Sequence, residues 1–169
     1  MGLPRKLKNF ALFVDGVNYM GEVPEITLPT LSRKLEEYRG GGMNMPVELD
    51  FGMEKMEIEW TAAGWIKDLL ASWGTPKHDA VLLRFAGAVQ ADDREDVTAL
   101  EIVVRGRHAE FDPGSVKAGE GTQIKLKSAC SYFKLTVDGR VEVEIDAVGM
   151  TEVVGGTDRM AQVRAALGV

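Results

Sequence analysis

Apolar and polar residues alternate along much of the chain, and the places where the alternation changes phase carry as much information as the alternation. Val47, Leu49 and Phe51 alternate with Glu48 and Asp50, whereas Met56, Ile58 and Trp60 alternate with Glu57 and Glu59. A period of two is that of a strand buried on one face. The switch from odd to even positions predicts a bulge at about residues 52–55, which would keep one long strand with an apolar face and an acidic face. Arg33 to Tyr38 reads as its partner. The connection between them, Arg39-Gly40-Gly41-Gly42-Met43-Asn44-Met45, follows neither period. Three glycines lose much backbone entropy on ordering, and two methionines are of no use to a loop lying only in water. The segment either folds back on its own domain or belongs to an interface.

The same parity argument organises the rest. Leu12 and Val14, then Asp15-Gly16, then Val17 and Tyr19 predict a hairpin over residues 10–23 with a three-residue loop and Gly16 left-handed. Pro24 and Pro29 confine the next segment to an edge or a connection. Thr61 to Trp73 has helical spacing at Trp65, Leu69 and Trp73, with Thr61 as its cap and Gly74 and Pro76 closing it. Strands are predicted over 81–90 and 97–108, around the acidic turn Asp92 to Asp96, and over 122–137, again with a change of parity that asks for a bulge. Val137-Asp138-Gly139 repeats the chemistry of Val14-Asp15-Gly16. Val141, Val143 and Ile145 then alternate with a second acidic set, Glu142, Glu144 and Asp146. A short helix over 157–167 has Met160, Val163 and Leu167 as its inner stripe and Gly168 as its stop. The sum is a single, mainly β domain over 1–169: a β-sandwich or barrel with a flanking α-helix, a short C-terminal helix and an extended hairpin at about 33–60.

Charge and composition narrow the functions. The 169 residues carry a formal charge of −6, and the basic groups Arg5-Lys6-Lys8 and Lys125-Lys127 are small and not interleaved with aromatics, which disfavours tight binding to phosphates. The lone Cys130 excludes an intramolecular disulfide or a zinc cluster. No apolar run has the length of a membrane span, and Phe10 to Val14 is too short for a signal-peptide core, so a soluble protein without a membrane anchor is expected. The acidic turn lacks the spacing of a calcium loop. Walker, dinucleotide-binding, serine-elbow and zinc-protease motifs are missing, and His78 and His108 have no nucleophile motif near them. No catalytic residue, metal ligand or cofactor is expected. A pocket for a small ligand walled by Trp60, Trp65 and Trp73 is the competing reading.

Six strings in order resemble the major tail tube protein of contractile-tailed bacteriophages, the family that also supplies the inner tube of R-type pyocins. They are LFVDGVNYMGEVPEITLPTL at 12–31, RKLEEYRGGGMNMPVELDFGME at 33–54, LRFAGAVQ at 83–90, VVRGRHAEFDPGSVKAGE at 103–120, YFKLTVDGRVEVEID at 132–146 and GGTDRMAQVRAALG at 155–168. Gly155 departs from the asparagine often found there, and both residues tolerate a left-handed backbone. The resemblance implies hexameric rings stacked into a hollow tube inside a contractile sheath, with DNA passing through the lumen in phages. The implied partners are further copies, the tail sheath, baseplate and tape-measure proteins; the implied place is the virion tail, assembled in the bacterial cytoplasm. A needle-type secretion tube is a near alternative. Within that picture, the loop from Arg39 to Met45 is expected at contacts between rings or subunits. Glu48, Asp50, Glu57 and Glu59 are expected in the lumen, with Glu142, Glu144 and Asp146 as the rival set. Lys67 and Asp68, on the exposed side of the first helix, are expected to face the sheath.

Overall fold

The structure is a computed structural model and describes residues 1–169. Twelve strands and two short helices follow in the order β1 (Lys6–Val14), β2 (Val17–Asn18), β3 (Glu25–Thr27), β4 (Arg33–Tyr38), β5 (Val47–Met53), β6 (Met56–Ala62), α1 (Lys67–Ala71), β7 (Val81–Gln90), β8 (Val97–Asp112), β9 (Ile124–Val137), β10 (Arg140–Asp146), β11 (Thr151–Val154), β12 (Thr157–Asp158) and α2 (Ala161–Leu167). Ten strands form one antiparallel sheet, ordered β12-β11-β10-β9-β8-β7-β1-β2, with β6 and β3 branching from β9. The long strand β9 explains the branch. Along one side it pairs with β8 throughout. On its other side β6 pairs with residues 124–130 and β10 with residues 132–137. Ser131 falls at the bulge between the two halves, where the register to β8 shifts. This is the irregularity that the parity change within 122–137 requires.

Alternate residues from both arms of the fork turn inward to one core. Leu12, Leu83, Val104, Ile58, Trp60, Leu126 and Phe133 are all buried there. The sheet curls around this core but does not close into a barrel, since β2, β3 and β12 each keep an unpaired edge. β3, between Pro24 and Pro29, is an edge strand as expected.

Both Asp-Gly turns are two-residue loops. Val14 faces Val17 and Val137 faces Arg140, while Asp15, Gly16, Asp138 and Gly139 all have positive φ. The expected three-residue loop at Gly16 is therefore corrected. A two-residue loop pairs positions of opposite parity, so it already accommodates the change from Val14 to Val17. Each aspartate also clasps the neighbouring strand: Asp15 accepts from the Leu82 N–H and Asp138 from the Ala99 N–H.

Both helices are shorter than their periodicity suggests. Thr61 and Ala62 belong to β6, and α1 begins at Lys67 with Ile66 at its N-terminus and no side-chain cap. Of the predicted stripe only Leu69 is buried; Trp65 and Trp73 are more than half exposed. Four-residue spacing did not decide the conformation here, because pairing with β9 captures residues 61–62 first. Gly155-Gly156 turn between β11 and β12 rather than opening a helix. α2 ends at left-handed Gly168 as expected, yet it buries none of its residues, and Val163 and Leu167 face solvent.

Candidate assembly surface

The phase switch between Phe51 and Met56 has a different cause from the expected bulge in one strand. β5 and β6 are separate strands in separate sheets: β5 pairs only with β4 in a two-stranded hairpin, and β6 enters the large sheet. At the end of β5, Gly52 turns with φ 104° and donates its N–H to Asp50 Oδ1. The apolar residues of the two strands consequently meet different environments. Met56, Ile58 and Trp60 are buried, whereas Leu49 is 42% and Phe51 59% exposed.

The hairpin is amphipathic, and its apolar face is bare. Register places Tyr38 opposite Val47 and Glu36 opposite Leu49, so Tyr38, Val47, Leu49 and Phe51 share one face. Glu37 opposite Glu48 and Leu35 opposite Asp50 make up the other. Every residue of β4 and the first five of β5 are exposed. A two-stranded ribbon alone in water is marginal, and like charges directly opposed, as at Glu37 and Glu48, weaken it further. Its root is held by Arg33, which donates from Nε to Asp50 and from Nη1 to Glu152 on β11 at 2.6 Å. That pairing draws the Asp50 carboxyl below its ordinary range, Arg33 first and the Gly52 N–H second.

The tip, from Arg39 to Met45, is more structured than three glycines suggest. The Met43 N–H donates to the Gly40 carbonyl, the Gly40 N–H donates back to Met43 Sδ, and Arg39 Nε donates to the Met43 carbonyl. Met43 is thereby half-buried by its own loop. Met45, at 68% exposure, is the methionine presented to the outside, next to exposed Gly41, Gly42 and Asn44.

The first acidic set does not form one face. Glu48 and Asp50 lie on the hairpin, Glu57 and Glu59 on the large sheet. Sheet neighbours offset part of the charge: Glu59 lies opposite Lys127 in register, and Glu57 forms ion pairs with Lys55 and Lys127, which pull its carboxyl down, Lys55 foremost. In the rival set, Glu142 sits near Arg140, Glu144 opposes Lys134 and accepts from the Tyr132 hydroxyl, and Asp146 accepts from the Val148 and Gly149 N–H groups. Single-strand alternation shows an acidic face; the adjoining strand brings the lysines, Lys127 from far along the chain and Lys134 from across the β9–β10 hairpin. The acidic turn is likewise paired: Arg5 with Asp96 and Lys8 with Asp92, so it ties down the N-terminal strand.

The three tryptophans do not wall a common pocket. Trp60 is in the core, beside buried His108 at 6.4 Å between ring centroids. Trp65 leans on Phe111, and Trp73 faces solvent with Leu70. A cleft of about 350 Å³ opens instead where β6 and β10 diverge, lined by Met53, Met56, Cys130, Ile145, Met150 and Met160. Burial there pushes the Cys130 thiol up to about 11. His78 bonds Ser131 at the surface, and no helix is long and apolar enough to cross a membrane. Besides the cleft, the protomer leaves uncovered an apolar hairpin face and the exposed Trp65 and Trp73 around α1.

A family profile for phage tail tube protein FII matches residues 4–168. The chain belongs to that family. It is 45% identical to the tail tube protein of Escherichia phage P2, over the full length of both chains. It is 36% identical to the major tail tube protein of Serratia phage KSP20, over 86% of this chain and 85% of the relative. Among solved structures it is similar to a component of the PVC extracellular contractile injection system sheath–tube complex in the extended state, with a TM-score of 0.60 and 11% identity over 79% of this chain and 91% of the other. It is also similar to a chain of the anti-feeding prophage cap, with a TM-score of 0.62 and 9% identity over 80% and 93%. At such identities the structural likeness is one of fold. With the family in hand, the chain is a tail tube protein.

Proposed function

We propose that this chain is the repeating subunit of the inner tube of a contractile tail, closing into hexameric rings that stack around a bore. The observation that carries the proposal is the β4–β5 hairpin, an apolar ribbon that the protomer builds and leaves bare. In a tube it is covered by a neighbouring copy, and the free edges at β2, β3 and β12 are open to pairing between copies, which removes the hazard of an exposed edge. The role is structural. Its partners are further copies, a surrounding sheath, and the baseplate and tape-measure proteins, and its place is the virion tail. Negative-stain microscopy of the purified protein, alone and with a baseplate seed, tests this: rings or hollow tubes are expected, and a molecule solitary under every condition would end the proposal.

Within the tube, the loop from Arg39 to Met45 contacts the next ring or subunit, and exposed Met45 supports that. Met45→Asp should leave a folded protomer that polymerises poorly. Normal tubes from the variant would remove the loop from the contact.

The bore is proposed to be lined by carboxylates, giving DNA phosphates nothing to hold as they slide past. At physiological salt the effect reaches about 8 Å, so it prevents adhesion rather than acting as a distant gate. Glu48 is the best-supported member of its set, being opposed by Glu37 rather than by a lysine. Lysine at Glu48 and Asp50, at Glu57 and Glu59, or at Glu142, Glu144 and Asp146 identifies the lining set by slowed DNA ejection from intact tubes. Normal ejection from all three variants would refute a repelling wall.

A further inference from the structure

Two uncovered apolar surfaces on one chain raise the question of whether each is the other's partner. The first is the hairpin face of Tyr38, Val47, Leu49 and Phe51. The second is the α1 segment, where Trp65, Leu70 and Trp73 are exposed by 59%, 40% and 56% around a five-residue helix. We infer that the hairpin face of one copy docks on the α1 segment of the next, with Trp65 and Trp73 as its anchors. The inference rests on the tube reading and names the contact that reading leaves open.

Three observations support it. The surfaces differ, so their contact is head-to-tail, the kind that closes into a ring or extends along an axis rather than stopping at a pair. Each surface carries one charge of each sign: Lys34 and Glu36 on the hairpin face, 3.9 Å apart, and exposed Lys67 and Asp68 on α1. They can therefore exchange partners across the contact, Glu36 with Lys67 and Lys34 with Asp68. The third concerns durability. Tryptophans at the centre of a contact supply much of its binding energy, which suits a joint between copies that must survive contraction. It does not suit a sheath that has to slide away. Lys67 and Asp68, expected toward the sheath, are accordingly reassigned to the contact between copies.

Tryptophan fluorescence tests this on the unmodified protein. The chain has three tryptophans, of which only Trp60 is buried in the protomer. On passing from protomer to tube, most of the quenching by acrylamide should be lost, leaving only what buried indoles allow. Tubes that quench as readily as protomers would overturn the inference. The occupant is then identified with Leu49→Cys and Leu70→Cys combined in a Cys130→Ala background. A short bismaleimide should convert tubes of this variant into a ladder of covalent oligomers, and neither single variant should give one. Tubes of the combined variant without a ladder would also overturn it. If the unmodified protein makes no tube at all, the tube reading itself falls first, which separates the two failures.

Discussion

Two buried residues show how little freedom the core has. His108 is 1% exposed; its Nδ1 bonds Ser128 Oγ at 2.8 Å, while Nε2 and the neighbouring Trp60 Nε1 have no protein partner. Burial pushes the imidazole below its ordinary value, and the charge of Asp15 opposes this only in part. The unfolded chain therefore binds a proton that the native state resists, in the window from about pH 6.5 down to the lower native value. Stability is fully present above that window and falls as pH drops through it. His108→Phe should abolish that part of the acid-side slope in urea unfolding of the protomer, while costing about 1–3 kcal/mol at neutral pH from the stranded Ser128 hydroxyl. An unchanged slope would show that the proton goes elsewhere. Gly106 is constrained by space instead: a Cβ there would lie 2.0 Å from the Ala129 carbonyl oxygen, next to the bulge where β8 shifts register on β9. Gly106→Ala should cost at least the about 1–3 kcal/mol of an overpacked core, read as a lower urea midpoint, because the obstacle is backbone that cannot rotate aside.

At the scale of elements, the hairpin separates folding from assembly. Since β4 and most of β5 are exposed in the protomer and Phe51 is 59% exposed, Phe51→Asp should leave thermal unfolding nearly unchanged. Covering a phenylalanine in the tube is worth at most about 1.5–3 kcal/mol, so the critical concentration for polymerisation should rise by up to about ten- to a hundredfold, as light scattering would show. A large drop in melting temperature would mean that the ribbon belongs to the protomer's own core. The same hairpin marks the limit of what a sequence makes legible. Most strand positions, the places of the Asp-Gly turns, the bulge in β9 and the mainly β class could be read from local alternation, but not the two-residue length of the first turn or the short strands β11 and β12. The division of residues 47–60 between two sheets could not, because alternation reports which residues share a face and not which body that face meets. Nor could the extension of β6 over Thr61 and Ala62, which depends on Ile124 and Lys125 lying alongside. The mixed charge around the acidic faces was not legible for the same reason: Lys127 reaches Glu57 and Glu59 from a strand far along the chain, and Lys134 reaches Glu144 only through the register of the β9–β10 hairpin.

The whole molecule has more surface than a solitary protein of its mass requires. At 18.5 kDa a compact monomer exposes about 8,200 Å², whereas this protomer exposes 10951 Å² and buries only 25 of 169 residues. The excess is larger than an ordinary protein–protein interface of about 1,600 Å², and the exposed Phe51, Trp65 and Trp73 place part of it on apolar side chains. Association must nevertheless work against charge, since every copy brings a net −6. Apolar burial is not weakened by simple salt, whereas repulsion between copies shrinks as the screening length falls from about 10 Å at 0.1 M to about 3 Å at 1 M. Ion pairs at the rim of a contact contribute at most about 1 kcal/mol, too little to reverse the trend. The critical concentration for tube formation should therefore fall as sodium chloride is raised across that range, by about tenfold if screening recovers about 1.4 kcal/mol per added copy. Sedimentation at a series of salt concentrations measures it directly. A critical concentration that rises with salt would mean that ion pairs, not the bare hairpin and the tryptophans, hold one copy to the next.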